Sequence, residues 1–396
     1  MDHHLRIAIL LAGNLVIIII LILLFIRRRE PEVRKKHLCR SYIDLPREIT
    51  FNILILLPAN VLHEVARKVC KQWDEIIKDP VFVRAHCQIS TTRARFLVQV
   101  FNKLCEAYYM EAECTKSVRV TEIKFPSPAR ISGSYNGLVL LSDRMNKGVL
   151  HLMNLVTKVI VSLPRLRALN SCYYVSDNLA VDSYGRYKAV RVSDDVDHKK
   201  FEMHVFTVGV DKAWRRVEIP EANCVIMLEL AFFVPGFMYW CADSCRVCFA
   251  MDVDTETIYQ FYGPKSFDIF LHFPVHYISL GTGLGVTKEE DKDRGIWSLW
   301  KLTDVKSSKW TEVAMIDIGA IVRKVYKRAY DWLTVIPVSL IDGELCFKYC
   351  VPNQKYFQVG RYNLANKGSA SFRVKTVSDQ AYVCPHVPTL VSARNC

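Results

Sequence analysis

DLPREITFNILILLPANVLHEVARKVCKQWDEIIKDPVFVRAH, running from Asp44 to His86, is the stretch from which the rest of the chain can be read. Leu45, Ile49, Ile53 and Leu57 recur every four residues, with Leu54 and Leu56 beside them. The spacing predicts an amphipathic helix that Pro46 can start and Pro58 ends. Leu62, Val65, Val69, Trp73 and Ile76 then recur at three- and four-residue intervals, a second apolar stripe with His63, Glu64, Arg67, Lys68 and Lys71 mostly off it. Asp79-Pro80 is a start signal for a third helix, which carries Phe82 and His86. Three helices of about 40 residues in all bury too little apolar surface to stand alone. A partner is implied.

At these residues the stretch resembles the F-box. The family pattern is a Leu-Pro opening, an Ile-Leu pair before a second Leu-Pro, a Val-Cys-Lys-x-Trp signature and Asp-Pro-x-Phe-x-x-x-His. Here these are Leu45-Pro46, Ile53-Leu54 before Leu57-Pro58, Val69 to Trp73, and Asp79 to His86. The resemblance implies docking on a Skp-type adaptor and, through it, assembly with cullin and RING subunits into a ubiquitin ligase. The adaptor contacts it implies are Leu45, Pro46, Ile49, Ile53, Leu54, Leu57, Pro58, Leu62, Val69 and Trp73. Leu56 stands where the family often has Arg, and the interval from Leu57 to Trp73 is about one residue long for the pattern.

Before this stretch the composition changes. Ile7 to Ile26 contains no charged residue and is mostly Leu, Ile, Val and Phe; as a helix it would span roughly 30 Å, the thickness of a hydrocarbon core. Seven basic residues between Arg27 and Arg40 follow it, so the positive-inside rule predicts a single-pass membrane protein with its C-terminal side in the cytosol. The same run accounts for part of the formal charge of +13, and the thin spread of the rest argues against a nucleic-acid partner. Fourteen cysteines at irregular spacing in apolar runs fit reduced, buried thiols rather than a disulfide framework.

Beyond Gln88 the chain is a series of short β-like runs, such as RFLVQVF from Arg95, GLVLL from Gly137 and ELCFKYC from Glu344. Asn136-Gly137, Tyr184-Gly185, Pro235-Gly236, Thr282-Gly283 and Asp342-Gly343 each precede an apolar run, at intervals of about 48, 51, 47 and 60 residues. That is near the length of one four-stranded propeller blade. Trp214 and Trp310 stand where a later strand would present an aromatic to the next blade. Roughly six blades fit the length at this period, and a β-sandwich or an incomplete ring is the alternative.

The order of motifs resembles the plant F-box-associated domain over about Arg95 to Val374. Ser134 to Leu138, Asn154 to Pro164, Tyr187-Lys188, Trp214-Arg215, Gly236 to Trp240 and Ser308 to Val313 carry the likeness, with Tyr135 for Cys and Leu155 for Pro as departures.

Chemistry-bearing clusters are few. Cys241, Cys245 and Cys248 have partial zinc spacing, but no second cluster follows. His272 and His276 flank Pro274, which argues against a shared helix face. Glu289, Glu290, Asp291 and Asp293 form an acidic run that reads as a solvated loop. No phosphate-binding glycine loop, GxSxG or HExxH is present.

The expectation is thus a multidomain α+β chain: a transmembrane anchor in 1–40, a three-helix F-box in 41–87, and an all-β, propeller-like domain in 88–396. It is expected to be a non-catalytic receptor subunit of an SCF-type ligase, without cofactor, binding the adaptor, an unknown protein target, and a membrane through residues 7–26. A membrane-tethered propeller enzyme with a metal site, and a scaffold that binds adaptor without cullin, are the rival readings.

Overall fold

The computed structural model describes residues 46–393, apart from 91–94, 101–102, 113–117, 167–174, 196–199, 220–229, 242–246, 266–274, 321–333, 342, 351–355, 366–368 and 376–380. Residues 7–26 and Leu45 lie outside the described residues. Among the described residues no helix is long and apolar enough to cross a membrane. The longest, Pro80–Ser90, has 11 residues, a rise of about 16 Å against the roughly 30 Å required. The expectation of a single-pass membrane location is corrected accordingly.

The N-terminal part is a helical module. Its α-helices are α1 (Arg47–Leu54), α2 (Ala59–Glu64), α3 (Lys71–Lys78) and α4 (Pro80–Ser90), with a 3-10 turn at Ala66–Lys68. The expected second helix is therefore split, and the module has four α-helices instead of three. The break falls at Cys70, whose backbone is extended (φ −158, ψ 169). The apolar stripe survives it, because the short 3-10 turn keeps Leu62, Ala66, Val69, Trp73 and Ile76 on the inward side, all buried. Asp79 Oδ1 accepts from the Val81 backbone N–H at 2.9 Å, and Pro80, which has no N–H to leave unpaired, opens α4. Phe51 meets Phe82 edge to face at 5.1 Å, and buried His86 pairs through Nε2 with the Leu57 carbonyl at 2.8 Å.

The rest is mostly β. Among the described residues, six four-stranded antiparallel units follow one another, the last two joined into one sheet by a single parallel bridge, Ser279 to Ser339. The innermost strands are Ala381–Pro385, Ala129–Tyr135, Val175–Val181, Leu230–Val234, Val275–Ser279 and Thr334–Ile341. Each neighbours the next, and the last returns to the first, so the units form a ring. This is the propeller-like arrangement expected from the glycine period.

The ring closes through a strand from the far end of the chain. Ala381–Pro385 pairs antiparallel with Arg95–Val100, from Phe96 opposite Pro385 to Val100 opposite Ala381. That closure ties the two ends of the ring within one unit, and it explains why no glycine turn marks the first unit: its first two strands are not consecutive. In the second unit Asn136 (φ 44) and Gly137 (φ 83) form the two-residue hairpin between the first and second strands. In the fifth unit the left-handed position falls on Gly281 (φ 77), two residues before the expected Gly283. Both tryptophans tie adjacent units: Trp214 Nε1 donates to the Pro164 carbonyl at 2.7 Å, and Trp310 Nε1 to that of Tyr262 at 2.8 Å.

Candidate protein-docking site

The residues expected at an adaptor interface divide by burial. Leu54 and Leu62 are fully buried, and Leu57, Val69 and Trp73 nearly so, in one cluster with Ile76 and Phe82. Their side chains hold the module together, at roughly 1.5–3 kcal/mol of apolar transfer for each fully buried Leu. Ile53 and Pro58 are half-buried, Pro46 is exposed, and Leu45 lies outside the described residues. Ile49 is 47% exposed and Leu56, just past the end of α1, is 39% exposed. Ile49 and Ile53 lie one turn apart on α1 and Leu56 follows in the turn just beyond it, so apolar side chains reach the surface along this edge of the module. Arg47 anchors the start of α1 to Asp79 at 3.2 Å.

The module is docked on the ring by the segment that follows the closing strand. Leu390 is buried in the module's own core, while Ala393 packs in the core between the second and third units. Asn154, fully buried, holds the segment between them: its amide donates to the carbonyls of Thr389 at 3.0 Å and Val391 at 2.7 Å. Its Oδ1 accepts from Val156 N–H at 2.7 Å and Thr157 N–H at 3.0 Å, capping its own turn. Thr389 Oγ1 donates to the Asn136 carbonyl at 2.9 Å, and His386 Nδ1 lies 2.8 Å from Ser134 Oγ. The module therefore sits over turns joining first to second and third to fourth strands.

Asn154 was legible in the sequence only as part of a motif. A signal for its role was present: Asn154, Asp252 and Asp304 each open a third-to-fourth turn, cap the N–H two residues on, and are followed four residues later by Lys158, Glu256 and Ser308 at φ 60, 59 and 53. The repeated Asx-x-x-Ser/Thr-x spacing records this turn.

The metal candidates do not assemble. Cys241 and Cys248 are buried, Cys248 Sγ lies 3.4 Å from the Tyr277 hydroxyl, and Cys245 is outside the described residues, as is His272. His276 stacks on Trp297 at 5.7 Å. In the acidic run, Glu290 accepts from Ser298 Oγ at 2.7 Å and pairs with Lys288, while Asp291 caps Arg294 N–H at 2.9 Å. Among the described residues no group of three or more potential ligands is placed to hold a metal.

A cleft opens where the module meets the ring, walled by His63, Arg67, Lys78 and Arg84 on one side and Tyr184 to Tyr187 on the other. Burial, followed by the Arg67 charge, lowers the His63 pKa, and Glu64 acts against them. A hydrogen bond from Lys78 lowers that of Asp74.

Residues 94–392 match the family model described as F-box associated beta propeller domain. Among curated proteins, the chain is similar to an Arabidopsis thaliana protein named as a probable F-box protein, at 22% identity over 359 residues, covering 82% of this chain and 78% of that one. A second Arabidopsis thaliana protein, named as a putative F-box protein, is 23% identical over 297 residues, covering 65% of this chain and 67% of the other. Among solved structures, a chain of a nidogen/laminin complex is similar at 11% identity with a TM-score of 0.43, covering 75% of this chain and 99% of that one.

Proposed function

The chain belongs to the F-box associated beta propeller domain family, and on that premise we propose that it is the target-recognition subunit of a Skp/cullin/F-box ubiquitin ligase. The helical module would hold the Skp-type adaptor, and the ring would present its loops to the protein to be ubiquitinated. The chain itself would make and break no bonds. It would act by raising the effective concentration of target lysines near the ligase-bound conjugating enzyme.

The observation that supports this reading is the exposed apolar surface of α1 and of the turn just beyond it. A module that already buries Leu54, Leu57, Leu62 and Ile76 still leaves Ile49 and Leu56 at the surface. Of the ten expected contact residues, we assign Pro46, Ile49, Ile53 and Pro58, with Leu45 ahead of them and Leu56 added, to the adaptor surface. Leu54, Leu57, Leu62, Val69 and Trp73 support that surface from below.

The test is a binding assay between the full chain and a purified Skp-type adaptor, with an Ile49→Asp, Leu56→Asp double variant beside it. Losing the burial of one such side chain costs about 1.5–3 kcal/mol, so affinity should fall at least about tenfold. Both positions are exposed, so the thermal midpoint should not move. Equal affinity in the variant refutes the assigned face, and absence of adaptor binding by the folded wild type refutes the ligase reading.

A further inference from the structure

Two cavities adjoin at the junction of module and ring, one of about 510 Å³ and one of about 1400 Å³, sharing His63 and Arg67 in their walls. The larger exceeds the roughly 300–1,000 Å³ of small-molecule sites. Its walls include apolar side chains from both sides, Val83 from α4, Val159 from the ring and Leu390 from the C-terminal segment.

The charge on the rim is unbalanced. Arg67 and Lys78 both pair with Asp74, and Arg186 pairs with Asp182. Lys68, Arg84 and Lys158 also line the two cavities, and among the described residues none of them has a carboxylate at ion-pair distance. Lys158 is held in the left-handed region, φ 60, by its turn. Burial lowers its pKa, and Glu64, which lines the smaller cavity with Asp74, acts in the opposite sense without reaching ion-pair distance. Lys68, Arg84 and Lys158 are all exposed, so they present positive charge at the mouth of the cavities, where an arriving anion is attracted.

We propose that this cleft takes an acidic, extended segment of the target protein, with apolar side chains against Val83, Val159 and Leu390 and carboxylates against Lys68, Arg84 and Lys158. The proposal rests on the reading of the chain as a target receptor and gives the chemistry of what it receives. Such a segment would touch helical module and ring together. Its capture therefore favours one orientation of target relative to adaptor.

The experiment uses the full chain and a fluorescein-labelled 12-residue peptide of alternating Glu and Leu, read by anisotropy. A peptide with Gln for Glu and a single-stranded oligothymidylate serve as comparisons. The Glu peptide should bind more tightly than both and weaken with added salt. Arg84→Glu with Lys158→Glu should reduce its affinity about tenfold or more, while Arg84→Ala, which only deletes a charge, should have a smaller effect. Adaptor affinity of the charge-reversed chain should equal that of wild type.

Unchanged peptide affinity in the charge-reversed chain, or equal binding of the Gln peptide, overturns the proposal. Equal or tighter binding of the oligothymidylate overturns the choice of a peptide, and displacement of the peptide by saturating adaptor overturns its assignment to the target. Peptide binding that obeys these rules in a chain unable to hold adaptor would refute the ligase reading and leave the cationic, anion-binding cleft standing.

Discussion

Replacing Asn154 separates the two things its side chain does. Asn154→Ala removes four hydrogen bonds in a fully buried position: two donated to the Thr389 and Val391 carbonyls and two accepted from Val156 and Thr157. An intramolecular hydrogen bond contributes about 0.5–1.5 kcal/mol net, and a partner left buried and unpaired costs about 1–3 kcal/mol. Even with water reaching half of the freed groups, a loss of about 3 kcal/mol is expected. Asn154→Asp retains the two bonds that cap the turn but sets a carboxylate against two carbonyl oxygens, so it should release the C-terminal segment while leaving the turn intact. Urea denaturation gives the totals, and amide hydrogen exchange locates them. In the Asp variant, exchange should accelerate at Val391, whose N–H is bonded to Thr389 Oγ1, and not at Val156 or Thr157. A stability change below about 0.5 kcal/mol in the Ala variant, the range of ordinary surface substitutions, would refute the claim that this side chain pins the segment joining module to ring.

Leu62→Ala, at a fully buried position in the module, should destabilise the helices by about 2–5 kcal/mol, measured as early loss of protection in α2 and α3 while the ring strands keep theirs. Gly137→Ala and Gly185→Ala form a matched pair at φ 83 and 82: a Cβ at 137 would lie 1.9 Å from Thr389 Oγ1, whereas one at 185 meets nothing within 4 Å. Backbone strain of about 1–2 kcal/mol applies to both, so the larger fall in melting temperature should belong to Gly137→Ala, and equal falls would show that Thr389 yields freely. For Glu256, burial acts to raise the carboxyl pKa, but hydrogen bonds from Arg215 and Lys188 outweigh it and hold it below its ordinary value. A depressed folded pKa means that its stabilising contribution is full above the unfolded pKa, about 4.3, and is lost as pH falls through the folded value. Glu256→Gln should therefore be less stable than wild type at pH 7 and lose less between pH 5 and 3, as urea midpoints across that range would show.

Local regularities made much of this architecture legible. The i, i+4 recurrence of Leu45 to Leu57 and the stripe from Leu62 to Ile76 specify apolar helix faces because helical geometry brings such positions together whatever surrounds them. The glycine period marks hairpins between first and second strands at Gly137, Gly185, Gly236 and Gly343, all at positive φ, since a tight turn demands its residue locally. The split of the second helix at Cys70 was not legible, as both conformations satisfy the same apolar spacing.

Tertiary structure decided the rest. A stripe states that a face is apolar but not what covers it, so spacing alone could not separate buried Leu54, Leu57 and Leu62 from exposed Ile49 and Leu56. The closing strand pairs Phe96 with Pro385, and the docking of the module depends on Asn154 reaching Thr389 and Val391. These partners are far apart in the chain and share no periodicity. Nor does the order of residues reveal that Lys68 and Arg84 of the module line the same junction as Lys158 of the ring. Composition and spacing determined that there would be an apolar helical module and a repeated series of short strands, because those follow from backbone geometry repeated along the chain. Which surfaces remained open, and with what charge, was settled only when distant segments packed, because exposure is a property of the packed neighbours and not of the residue itself.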